Sequence, residues 1–227
     1  MSSRDKILHR IRTARSIASD LAPERQVEET LETAIQQDIP DSADALKQQF
    51  ASALQSVSAR FESSADIEHL YGLIDCTLRH GKDTRFAITG TDFTREIAEH
   101  VCSRYPDYAS VSARDIESFE RVKQLESIGI SIVDCAYAIA DTGTLCVPFS
   151  NVQTQLPFIL PETVIAVVKE QQLAVNHRQV FASLSEKERR NMILITGASR
   201  TADIEKILFL GAHGPGELIV FLLEDIH

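Results

Sequence analysis

A series of short apolar runs limits what this chain can fold into. RFAIT (85–89), ISIVDCAYAIA (130–140), TLCVPF (144–149), TVIAVVK (163–169), MILITG (192–197) and ELIVFLLE (217–224) are all rich in β-branched residues. Runs of this length and composition read as strands, and their near-continuous hydrophobicity implies cover on both faces. Helical spacing separates the earlier ones. Phe93, Ile97, Ala98 and Val101 form one stripe, and DIESFERVKQLESI (115–128) reads as a second helix ending at Gly129. YASVS (108–112) is a further strand between them. Strands alternating with helices predict an α/β fold with a mostly parallel sheet. No helix is expected between the runs from Ile130 to Lys169, so antiparallel pairing through a hairpin at DTGT is expected there.

The first eighty residues look helical. Leu46, Phe50, Leu54, Val57 and Phe61 recur at spacings of three and four, with Asp41 or Ser42 as the cap. Ile67, Leu70, Tyr71, Ile74 and Leu78 repeat the pattern up to a stop at Gly81, whereas residues 22–39 are polar and acidic. The expected organisation is an N-terminal helical segment over 1–80 and an α/β domain over 81–227.

Composition removes several function classes. A net charge of −10 opposes sequence-independent binding to nucleic acid, which needs Lys and Arg against phosphates. No apolar signal core follows the basic N-terminus, and no run approaches the ~20 apolar residues of a membrane span. Cys76, Cys102, Cys135 and Cys146 lack CxxC spacing, so iron–sulfur and zinc ligation by this chain are not expected. A dinucleotide GxGxxG turn is also missing. The expectation is a cytoplasmic protein with reduced thiols and no cofactor.

Three polar clusters follow predicted strands: TGTD (89–92), ADTGT (140–144) and the stretch TGASRTADIEKILFLGAHGPGELIVFLLED (196–225). Ligands of open α/β sheets bind beyond strand ends. The candidate ligand-binding residues are therefore Gly90, Thr91, Thr142, Gly143, Thr144, Gly197, Ser199, Arg200, Thr201 and Gly214. Asp141, Asp203, Glu205 and His213 are the candidates for proton transfer, His being suited to it near neutral pH. Each cluster also has a plainer reading. ADTGT can be a turn ordered by its own side chains. ASRTADIEKIL can be a helix capped by Ser199 or Thr201, with Asp203 and Glu205 in its first turns. Neither capping nor turn formation calls for Arg200 or for His213 among glycines.

Two enzyme classes are poor matches. A single DTG beside many helices does not fit the paired carboxylates of aspartic proteases. Ser199, Asp203 and His213 follow a hydrolase order, but Thr201 stands where the nucleophile turn wants Gly.

ADTGTL (140–145), ILPETVIAVV (159–168), GASRTADIE (197–205) and GAHGP (211–215) together resemble the lactate-utilisation family carrying the LUD domain, in its small C-type subunit. The resemblance implies a three-layer fold like that of ribose-5-phosphate isomerase, glucosamine-6-phosphate deaminase and the coenzyme A transferases. It also implies a part in oxidising L-lactate to pyruvate with iron–sulfur partner proteins, and a small anionic or hydroxylated ligand. A non-catalytic assembly or regulatory subunit is the alternative, and a sugar-phosphate isomerase or transferase is the analogy from fold alone. Two positions depart from the family pattern. Ala198 stands where the family has Pro, and Gln153, Thr154 and Gln155 occupy a stretch where the family carries an Arg. Without that Arg, a different or less charged ligand is expected.

Overall fold

The computed structural model describes residues 40, 42–81, 83–115, 120–149, 155–202, 208–210 and 214–224. The chain divides into two compact units, Met1–Asp41 and Ser42–His227, and the fold below is that of the second.

Helix α1 (Ala43–Ser56) starts where Ser42 Oγ accepts a hydrogen bond from the Ala45 N–H at 3.1 Å. It buries Phe50 and Leu54 and stops before Ser58, whose φ of 59° is incompatible with a right-handed helix. The chain then enters strand β1 (Arg60–Ser64), in a segment expected to be helical. Phe61 does belong with the α1 stripe, but from a different element: its ring meets that of Phe50 edge-on at 5.9 Å. Helix α2 (Ile67–His80) has its cap at Asp66, whose carboxylate accepts from His69 N–H at 2.7 Å, and ends at Gly81 as expected. Strand β2 (Arg85–Ile88), helix α3 (Asp92–Arg104) and strand β3 (Ala109–Ser112) follow in the expected order.

Helix α4 (Glu120–Glu126) leads to β4 (Ile130–Asp134), which the following break separates from β5 (Tyr137–Ile139). A tight turn reverses β5 into β6 (Thr144–Pro148), the antiparallel hairpin anticipated at DTGT. A short helix, α5 (Leu156–Ile159), precedes β7 (Thr163–Lys169), so the stretch is not helix-free. Strand β8 (Leu173–Ala174), helices α6 (His177–Ser183) and α7 (Glu186–Arg190) and strand β9 (Met192–Thr196) come next. Three short or long strands complete the described chain: β10 (Arg200–Ala202), β11 (Leu208–Leu210) and β12 (Glu217–Leu223).

Six strands form one all-parallel sheet in the order β1-β12-β7-β4-β2-β3. Alternation along its central strands divides the core in two. Val164, Ala166 and Val168 of β7 join Phe50 and Leu54 of α1 and Ala138 and Leu145 of the β5–β6 hairpin. Ile165 and Val167 face the other way, onto Leu70 and Ile74 of α2 and Ile97 and Val101 of α3. Each fully buried Val, Leu, Ile or Phe among them contributes roughly 1.5–3 kcal/mol relative to exposure. Four further strands pair as a smaller mixed sheet, β8-β5-β6-β9.

The helix expected after MILITG is not formed at its start. Arg200–Ala202 is extended and pairs antiparallel with Leu208–Leu210, in the register Arg200↔Leu210, Thr201↔Phe209 and Ala202↔Leu208. Thr201 is therefore the middle of a strand, and neither it nor Ser199 caps a helix there. Leu208, the last residue of ASRTADIEKIL, is paired with Ala202 in this ladder.

Candidate functional site

The three polar clusters do not converge on one place. Thr89–Thr91 lies at the carboxyl end of β2, as expected. The other two clusters pack on the last turn of α1. That helix begins at the carboxyl edge of the large sheet, where Lys47 Nζ lies 3.5 Å from both Glu170 and Glu224. It ends at the opposite, amino edge, a few residues before β1 starts.

Glycine makes both approaches to α1 feasible. Gly143 has φ of +65°, and a Cβ there would stand 2.8 Å from the Leu54 nitrogen. Gly197 has φ of +77°, and a Cβ there would stand 2.4 Å from the Val57 carbonyl oxygen. Between these turns runs a row of hydroxyls. Thr142 Oγ1 is 2.8 Å from Thr144 Oγ1, which is 2.8 Å from Thr196 Oγ1. Thr144 is buried and Thr196 is exposed.

Thr196 opens onto a cavity of about 550 Å³. Its apolar wall comes from Val57, Phe158, Ile159, Leu194 and Pro215. Ser56, Thr196 and Ser199 supply hydroxyls, and Gly197, Ala198 and Gly214 supply backbone. Ser199 N–H donates to the Pro215 carbonyl at 2.8 Å, which ties the turn after β9 to the chain entering β12. Ile159 and Leu194, the large hydrophobic side chains left exposed among the described residues, both border this cavity. Of the predicted ligand-binding residues, Gly197, Ser199 and Gly214 line it directly. Thr142 and Thr144 reach it through the hydroxyl row.

Asp141 stands in the β5–β6 turn, with its backbone N–H donating to the Val175 carbonyl at 3.1 Å. Its carboxylate is 4.0 Å from His177 Nδ1, both side chains being 38% exposed. The sequence offered no sign of His177 as a neighbour of Asp141, because β8 and α6 return there only in three dimensions. Asp203, Glu205 and His213 lie outside the described residues.

At the carboxyl edge, Gly90 has φ of +83°, and a Cβ there would stand 2.4 Å from Ser112 Oγ. Thr91 caps α3, accepting from Thr94 N–H at 3.2 Å. Beside them Thr89 Oγ1 donates to Asp134 Oδ1 at 2.6 Å, across the neighbouring ends of β2 and β4. Arg95 holds both Asp115 oxygens, at 2.7 and 2.8 Å, and this guanidinium keeps the Asp115 carboxyl below its ordinary pKa. Asp134, Arg95 and Asp115 at this edge thus have partners within the fold.

Among the described residues, no group of three or more His, Cys, Asp or Glu is placed to hold a metal ion. No helix among them is long and apolar enough to cross a membrane.

Comparison with known proteins gives this arrangement a family. Proteins named Lactate utilization protein C are similar to it: that of Bacillus licheniformis is 27% identical over 112 residues, covering 47% of each chain. The one from Deinococcus radiodurans is 30% identical over 103 residues, covering 44% of this chain and 49% of its own. Uncharacterized protein YkgG of Escherichia coli is 24% identical over 112 residues, covering 47% of this chain and 48% of its own. The chain thus spans about half the length of the curated relatives it matches. A crystal structure of a DUF162 family protein from Deinococcus radiodurans shares the fold, with a TM-score of 0.59 at 20% identity, over 81% of this chain and 99% of the other. The LUD domain matches residues 7–223, nearly the whole sequence, and the chain belongs to the LUD domain family.

Proposed function

We propose that this chain takes part in the oxidation of L-lactate to pyruvate alongside iron–sulfur partner proteins, and that it binds a small oxygen-bearing ligand in the cavity at the end of α1. The observation that carries the first half is its similarity to proteins named Lactate utilization protein C, together with the LUD domain match over 7–223. The cavity supports the second half, since the end of α1, the Gly197 turn and the chain before β12 meet there around hydroxyl and backbone groups. In this reading Thr142, Gly143, Thr144, Gly197, Ser199, Arg200, Thr201 and Gly214 form the ligand-binding side, with Gly90 and Thr91 serving the opposite edge. Asp141, Asp203, Glu205 and His213 are the proton-transfer candidates. The finer fold reading, a relative of the ribose-5-phosphate isomerase and coenzyme A transferase folds, is supported by the parallel sheet covered by helices on one face and by α1 with the small sheet on the other.

A non-catalytic assembly role is the second reading.

Deletion of the gene tests the pathway: growth on L-lactate should be lost and restored by the intact chain, and the tagged chain should retain iron–sulfur proteins on purification. Undiminished growth on lactate after deletion overturns the assignment. Rescue by a chain carrying Asp141→Asn and His213→Ala together selects the assembly role over proton transfer.

A further inference from the structure

Another cavity, of about 390 Å³, opens at the amino edge of the large sheet, on the face that α2 covers. The last turn of α2 supplies Cys76 and His80. The strand starts supply Arg60 of β1, Thr163 of β7 and Glu217 of β12. None of these residues lines the cavity at the end of α1.

A nucleophile, an imidazole and a pair of opposite charges thus share one space. The Cys76 thiol is exposed, so a small reagent can reach it. His80 Nδ1 donates to the Cys76 carbonyl at 2.6 Å, which pins the ring 3.8 Å from the sulfur. Arg60 Nη1 lies 3.5 Å from Glu217 Oε1, and its Nη2 lies 3.4 Å from Glu62. Thr163 Oγ1 donates to the second Glu217 oxygen at 3.4 Å. The Arg60 and Glu217 side chains are 56% and 45% exposed, and pairs in contact with water contribute little. Both charges are therefore open to exchange. An α-amino acid head carries its ammonium and carboxylate on one carbon, so it can meet both members of a pair this close. The volume lies toward the lower end of the ~300–1,000 Å³ range of small-molecule sites, which suits an amino acid or a short peptide.

We propose that Cys76 is a modification site for disulfides of small thiols that carry an α-amino acid head. The Cys76 thiolate attacks one sulfur of the disulfide, and a new S–S bond joins Cys76 to that half. The other half leaves as a thiolate with the electron pair of the broken bond, and takes up the proton that Cys76 released. The incoming disulfide is the oxidant, and no further reactant is needed. The retained half lies in the cavity, with its carboxylate against Arg60 and its ammonium against Glu217.

The test compares a charged and an uncharged disulfide on the full chain. Glutathione disulfide or bis(2-hydroxyethyl) disulfide is added at pH 7.5, the reaction is quenched with acid, and adducts are followed by peptide mass spectrometry. Cys102, partly exposed on α3, is the internal reference, which cancels the effect of the overall −10 charge on an anionic reagent. The rate at Cys76 relative to Cys102 should be at least about fivefold higher with glutathione disulfide than with the uncharged reagent. Arg60→Gln should remove most of that preference and leave the reaction of Cys76 with the uncharged disulfide unchanged. Equal ratios for the two reagents on the unaltered chain overturn the proposal, and that comparison needs no variant. A preference that survives Arg60→Gln, or a loss of rate with both reagents alike, also overturns it.

Discussion

Thr144 and Thr196 face each other across the β6–β9 ladder with their hydroxyl oxygens 2.8 Å apart. Thr144 also meets Thr142 Oγ1 and is only 1% exposed, so its hydroxyl bonds are made out of water. Replacing it by Val keeps the shape and the β-branch but leaves the neighbours without a partner. Thr144→Val should therefore cost about 1–2 kcal/mol in urea unfolding. Thr196→Val, at an exposed position, should cost less than about 0.5 kcal/mol. Equal effects would show that the row of hydroxyls has no buried centre.

Glycine substitutions should change stability in opposite directions according to where they fall. Gly143 and Gly197 combine a left-handed φ with backbone of α1 closer than a Cβ tolerates. Alanine at either position should destabilise by roughly 2–4 kcal/mol, the sum of left-handed strain and overpacking. Gly72, within α2, has nothing within 4 Å of a built Cβ. Gly72→Ala should stabilise by roughly 0.5–1 kcal/mol, because a helical glycine gives up the most backbone freedom on folding. Chemical denaturation of the three variants measures both signs.

The large sheet was legible because its central strands are apolar on both faces: Leu218–Leu222 and Val164–Val168 read as strands without context. Strand β1 was not, since it is an edge strand whose residues are mostly part-exposed, and Phe61 falls by coincidence on the α1 spacing. The β10–β11 hairpin was hidden for a different reason. Each of its strands is only three residues long, and a ladder partner several residues away decides the conformation. Glycines at 143 and 197 were recognisable as turns, but their shared neighbour, the end of α1, depends on how a helix far upstream lies against the small sheet. The same limit applies to Asp141 and His177, which local sequence cannot bring together.

Acid should act on the tie between α1 and the carboxyl edge. The Ser63 hydroxyl bonded to Glu224, with Lys47 nearby, lowers the Glu224 pKa from its ordinary 4.5. A carboxylate whose folded pKa is depressed adds stability that is complete above its unfolded value and disappears as pH falls through the folded one. The contribution should thus be present at pH 6 and be lost progressively below about 4.5. Glu224→Gln should flatten the stability profile in that acid window, read from unfolding midpoints at successive pH values. Lys47, raised above 10.5 chiefly by its hydrogen bond to Asp44, works in the other direction: its contribution is complete below 10.5 and fades as pH rises through the folded value. Lys47→Met should therefore lower midpoints across neutral pH and reduce the alkaline slope. An unchanged acid slope in the Glu224 variant would assign that slope to other carboxylates.

Thiol chemistry should separate the four cysteines by environment. Burial raises the Cys146 thiol to about 11 and pushes Cys135 higher still, with Asp134 adding to the effect at Cys135. The thiolate is the reactive form, so both should resist alkylation at pH 8 as long as the chain stays folded. Cys76 is exposed on α2 and Cys102 is partly exposed on α3. Native labelling with N-ethylmaleimide, followed by peptide mass spectrometry, should modify Cys76 first and Cys102 more slowly. Cys135 and Cys146 should react only after denaturant is added, since each lies in a core shared with the small sheet. Early modification of Cys146 would mean that β6 and β9 separate in the folded state, because its Sγ contacts Met192 Sδ across that pair. Labelling of Cys135 without Cys146 would instead place the opening at the end of β4, where the chain leaves the large sheet for the small one.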